Sequence, residues 1–137
     1  MSAPASDGSA FRAAVEARDI AAMRACLAED VVFRSPVAHK PYAGKAITGA
    51  ILANVIEVFE DFRYVRELED TTGHALVFEA TVDGLELTGC DFLVLDDDGL
   101  ISDFMVMVRP LRAAQALAEQ MGARFDRIVA LAESDAT

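Results

Sequence analysis

The sequence predicts an α+β fold in which helices pack against one antiparallel sheet. Three observations carry that prediction. Ile47, Ile51, Val55 and Phe59 recur at helical spacing, which gives a long amphipathic helix over about residues 45–60. Between Leu76 and Val108 three runs alternate apolar and polar residues, joined by the turn signals Asp83-Gly84 and Asp96-Asp97-Asp98-Gly99. Helical patterns stand before and after these strands.

Residues 1–8 are small and polar and read as a flexible tail, and residues 9–133 read as a single domain. Ser9 can cap a first helix running to about residue 18. Asp19 caps a second, with Ile20, Met23 and Leu27 on one stripe. Residues 31–34 form a short β-rich run, and residues 35–44, with two prolines and a glycine, read as a loop. After the long helix come strands over about 62–68, 75–82, 85–95 and 100–108. Pro110 opens a closing helix, where its missing N–H is harmless. Leu111, Ala114, Leu117, Ala118 and Met121 make its stripe, and Gly122 is the expected point of interruption.

Of the 137 residues, 53% are hydrophobic and 26% charged, which suits one globular core. The formal net charge of -11 argues against nucleic acid and against anionic membranes as partners. The longest uncharged apolar run, residues 46–56, is far below the roughly 20 residues of a membrane span. Cys26 and Cys90 show no CxxC spacing and read as reduced thiols. With no signal-peptide pattern at the start, the expected location is cytoplasmic.

The two turns set a register. If Asp83-Gly84 is a two-residue turn, Val82 pairs with Leu85 and Leu76 lies opposite Asp91. If Leu95 pairs with Leu100, Asp91 lies opposite Phe104. Both place Asp91 on the face that carries Leu76, Phe78, Ala80, Leu87, Leu93, Phe104 and Val106. A carboxylate among such neighbours is costly unless it is paired, hydrogen-bonded or protonated. The other face carries Phe92, Met105 and Met107, too apolar for solvated surface, and predicts a homodimer contact.

The order of elements, the loop from Ser35-Pro36-Val37 to Tyr42-Ala43-Gly44, and the ending from Asp98-Gly99-Leu100-Ile101 to Val108-Arg109-Pro110 resemble the nuclear transport factor 2-like superfamily. Within it the chain looks most like the SnoaL-like branch, over about residues 11–124. The resemblance implies a curved antiparallel sheet wrapped with helices into a cone around a cavity, and dimerisation through the sheet. It also implies kinship with ketosteroid isomerases, polyketide cyclases, scytalone dehydratases and limonene epoxide hydrolases. Several of these place an essential aspartate in the last strand, where this chain has Val106. The Arg-x-Asp pair of the epoxide hydrolases would fall near Thr81 and Asp83, without its arginine, and the dehydratase histidine pair has no counterpart.

The expected ligand is a small hydrophobic molecule in an apolar pocket, with Asp91 as the candidate base for isomerisation, cyclisation or dehydration. In the alternative, Asp91 satisfies a buried polar network in a non-catalytic carrier. Arg34 is a candidate to pair with Asp91 or hold a ligand oxygen, and His39 and Tyr42 to polarise a carbonyl. Phe104 and Val106 are candidate lining residues. The face of Tyr64 and Arg66 stays open: one register puts Arg66 near Glu79, the other points Tyr64 into the cavity. His74, beside a turn, reads as solvated, and so does the 96–98 acidic turn. No metal-ligand spacing, phosphate loop or GxSxG serine is present, so neither metal nor cofactor is expected.

Overall fold

A computed structural model describes residues 8–136. The chain runs α1 (Gly8–Glu16), α2 (Ile20–Ala25), β1 (Leu27–Arg34), β2 (Tyr42–Ala43), α3 (Lys45–Val58) and β3 (Glu60–Glu69). It continues through β4 (Gly73–Val82), β5 (Leu85–Leu95), β6 (Ile101–Arg109), α4 (Leu111–Ala123) and α5 (Phe125–Ala136). The expected tail at residues 1–7 lies outside the described residues, and Gly8 already belongs to α1.

Asp19 caps α2 as expected, its carboxylate accepting from the Ala22 N–H at 3.0 Å. That helix is short, because the chain turns into the sheet at Cys26. The Cys26 carbonyl accepts from the Ile101 N–H at 2.8 Å, and Leu27 pairs with Ile101. Leu27, expected on the helical stripe, is therefore the first residue of β1. Exposed Glu29 and Asp30 fill the irregular stretch between Leu27 and Val32, which masks this part of the strand in the sequence. Strand β2 was expected as loop. Its two residues, paired with Val32 and Phe33, are too few to show a period.

The six strands form one curved, unclosed sheet in the order β2-β1-β6-β5-β4-β3. Neighbours pair antiparallel except β1 and β6, which are parallel. Asp83 and Gly84 both take positive φ, 51° and 76°, as a type I′ turn requires. Val82 pairs with Leu85 and Leu76 with Asp91, as the sequence predicts. The second turn differs. The Asp96 carboxylate accepts from the N–H groups of Asp98 and Leu100, drawing Leu100 into the turn. Leu95 then pairs with Ile101 across a bulge, so Asp91 lies opposite Val106 rather than Phe104. The slip is two residues, so Asp91 keeps its inward face.

Helix α3 ends at Val58, and Phe59 turns extended at its C-cap. Buried residues such as Ala50, Ile51, Leu52 and Ile56 put this helix in the centre of the fold, against β1 and α5. The closing helix breaks at Arg124, not at Gly122, which lies inside α4. The Arg124 guanidinium binds the Glu57 carboxylate and reaches the Asn54 carbonyl, tying the elbow between α4 and α5 to α3. Phe11, Leu27, Val31, Leu76, Phe78, Ile101, Phe104 and Ile128 form the sealed centre of the core. On the outer sheet face, Phe92, Val94 and Met107 are exposed. Among the described residues, no helix is long and apolar enough to cross a membrane.

Candidate functional site

Between the concave sheet face and the helices lies a cavity of about 230 Å³. Strand β5 contributes Asp91, which shares the cavity with two aromatic walls. One wall joins Phe59, Phe62, Tyr64 and Phe78, with ring centroids 4.9–5.5 Å apart for Phe62–Phe78, Phe62–Tyr64 and Phe59–Phe78. The other joins Phe11, Phe33, Phe104 and Tyr42, where Phe104 stands 5.2 Å from Phe11 and 5.4 Å from Phe33. Every aromatic side chain of the protein except Phe92 lines the cavity. Ser35, Pro36 and Val37 line one side, and Leu117, Met121 and Phe125 close another. Val37 and Phe125 are exposed, which places the opening beside them.

Gly89 shapes this space. A β-carbon there would sit 2.2 Å from the Phe78 ring, so only glycine leaves Phe78 its place opposite Gly89.

Asp91 is buried, and its hydrogen-bond partner is the Tyr64 hydroxyl, which donates to Oδ2 at 3.0 Å. Burial pushes the Asp91 carboxyl up from 3.8 to about 7, although the Tyr64 hydrogen bond pulls the other way. The Tyr64 hydroxyl is itself held well above the ordinary range, first by burial and then by the neighbouring carboxylate. The Arg12 guanidinium lies over the Tyr64 ring, 5.6 Å from its centroid, and bonds Glu16 and Glu67.

Tyr64 thus points inward. Strand β3 carries two register irregularities, before Arg63 and before Arg66, so simple alternation does not reveal its faces. Arg63, not Arg66, takes Glu79, at 2.8 Å.

Tyr42, Tyr64, Phe104 and Val106 line the cavity with Asp91. Arg34 and His39 do not. Arg34 is exposed and bonds Asp103 at 3.0 Å on the outer face, because β1 presents alternate residues to opposite sides. His39 is exposed on a shallow outer depression with Arg34 and Met107.

His74 is a further correction, since it is buried rather than solvated. Strand β4 starts at Gly73, which puts residue 74 on the inward face with Leu76 and Phe78. Its Nδ1 stands 3.3 Å from Glu67 and its Nε2 3.7 Å from Glu69. Among the described residues, no three His, Cys, Asp or Glu side chains are grouped to hold a metal ion.

The chain matches the SnoaL-like domain family over residues 9–104. A solved steroid delta-isomerase from Pseudomonas aeruginosa is 43% identical, with a TM-score of 0.84, and the match covers 94% of this chain and 99% of that one. An uncharacterised protein conserved in bacteria, with a cystatin-like fold, from Silicibacter pomeroyi is 34% identical with a TM-score of 0.84, covering 91% of each chain. An NTF2-like protein of unknown function from Cytophaga hutchinsonii shares the fold at 20% identity and a TM-score of 0.58, over 75% of this chain and 87% of that one. No curated protein matches. With the family matched over more than half its length, and a six-stranded curved sheet behind that match, this chain belongs to the SnoaL-like family of the nuclear transport factor 2-like superfamily.

Proposed function

We propose that the cavity binds a small hydrophobic carbonyl compound and that Asp91 moves a proton on it without a cofactor. One observation carries this reading: a buried carboxyl lines an aromatic cavity, with a single neutral donor for a partner. A carboxyl pushed up to about 7 both holds and releases a proton near neutral pH, as a general base must. The carboxylate takes a proton from the carbon next to the carbonyl, and the resulting enolate oxygen accepts from the Tyr42 hydroxyl. Returning the proton at the far end of the double bond completes an isomerisation. The name of the Pseudomonas aeruginosa relative, a steroid delta-isomerase, supports this reaction class.

The volume, about 230 Å³, lies below the roughly 300 Å³ at which pockets for drug-sized ligands begin, and favours one- or two-ring substrates. The test follows the conjugated enone formed from a single-ring β,γ-unsaturated ketone and from a Δ5-3-ketosteroid. Turnover of the smaller ketone, lost in Asp91→Asn, supports the proposal. Wild type no faster than buffer on both ketones contradicts it.

Val106, opposite Asp91 where related enzymes carry an acid, favours a second reading, a non-catalytic carrier. In either case we propose that a second copy covers Phe92, Met105 and Met107.

A further inference from the structure

We propose that the same cavity takes a lipophilic ammonium ion, whose charge lies against Asp91 and whose carbon skeleton fills the space between the two aromatic walls. This goes beyond the proton-transfer reading, because it concerns the charge of the occupant and requires no reaction.

Asp91 Oδ2 accepts from Tyr64, and its other oxygen has no hydrogen bond from any described residue. Among the described residues, no lysine, arginine or histidine lines the cavity. The groups that face Asp91 are Tyr64 from β3, Leu76 from β4 and Val106 from β6. Tyr64 is the titratable one among them, and beyond its ring lie Arg12 and Glu16 of α1. The fold therefore sets a carboxyl in an aromatic-lined cavity, and the described residues supply no counter-charge there. Removing one partner from a buried ion pair is strongly unfavourable, and Asp91 sits in the state such a removal leaves. A ligand cation supplies what is absent.

The walls suit the same occupant. Aromatic faces attract ammonium groups, most strongly where water is excluded. Phe62, Phe78 and Tyr64 on one side and Phe33 and Phe104 on the other line the same cavity as the carboxyl. A net charge of -11 draws cations toward the molecule and repels anions before contact. The volume of about 230 Å³ suits a short alkyl ammonium or one that carries one or two rings.

Isothermal titration calorimetry on the full chain tests the proposal with three one-ring probes: benzyltrimethylammonium, benzyl alcohol and benzoate. The quaternary ion keeps its charge at every pH, so any pH dependence belongs to the protein. The cation is expected to bind at least about ten-fold more tightly than the alcohol at about pH 8, and benzoate not at all. Because Asp91 must ionise to receive it, cation affinity falls about ten-fold between about pH 8 and pH 6, with proton release on binding. Asp91→Asn is expected to bind cation and alcohol equally. Where that variant folds poorly, the wild-type pH dependence decides alone.

A cation that binds no better than the alcohol at about pH 8, or that binds equally at both pH values, overturns the inference. Ketone isomerisation does not enter this readout. Turnover with no cation preference defeats the inference and leaves the proposed reaction standing, while cation preference without turnover does the reverse.

Discussion

Asp91 and His74 are both buried, both on the inner side of the sheet and one strand apart, yet the fold treats them differently. His74 has a carboxylate near each ring nitrogen, Glu67 at 3.3 Å and Glu69 at 3.7 Å. Asp91 has one hydroxyl at 3.0 Å and an open cavity. The first group sits between two carboxylates of β3, alongside which its own strand β4 is paired. The second has a place for something the protein lacks. A buried ionisable group is therefore read by its partners as well as by its burial.

The largest effect that sharpens this contrast is on turnover. Asp91→Asn should lower isomerisation by about 10²–10⁴-fold, measured as the enone formation rate. The same change should stabilise the fold. The folded protein keeps the Asp91 proton to about pH 7, and the unfolded chain gives it up near 3.8. Stability of the wild type should therefore fall as pH rises from about 4 to 7, by about 4 kcal/mol at most, and level off above. Urea titrations should show this slope in wild type and not in Asp91→Asn.

His74→Ala should go the other way. It should cost about 2 kcal/mol, because it opens a void and leaves two glutamates side by side, with little change in turnover. Equal losses of turnover in the two variants would break the comparison.

Gly89→Ala tests the wall rather than the acid. The added methyl meets Phe78 and should cost about 1–3 kcal/mol in urea unfolding while narrowing the cavity, read as a raised KM. Tyr64→Phe should cost about 1 kcal/mol. Losing its hydrogen bond lets the Asp91 carboxyl rise above 7, so the rising limb of the pH–rate profile should move to higher pH. The smallest effect belongs to Arg34→Ala. Its exposed pair with Asp103 lies outside the cavity, and both turnover and stability should change by less than about 0.5 kcal/mol.

Much of this arrangement is legible in the residues. Asp83-Gly84 has a single good solution, so the Leu76–Asp91 pairing follows from counting. The even-numbered slip at the acidic turn spared the face of Asp91, though it exchanged Phe104 for Val106 as its partner. What stayed hidden depends on irregular backbone. Two irregularities in β3 decide that Tyr64 reaches Asp91, and no period encodes them. Starting β4 at Gly73 instead of residue 75 buries His74, a two-residue difference that turn chemistry does not specify. Arg34 and His39 looked like mouth residues because they flank the right loop. Strand alternation sends one outward, and the loop carries the other away from the cavity.

Asp91 is a buried acid without a counter-charge among the described residues. Carboxyl-carbon NMR through a pH titration, with Asp91→Asn to assign the resonance, measures it directly. A midpoint near 7 is the predicted result. A midpoint at or below 3.8 would mean a paired or solvated carboxylate, and would contradict both the proton-transfer and the ammonium readings.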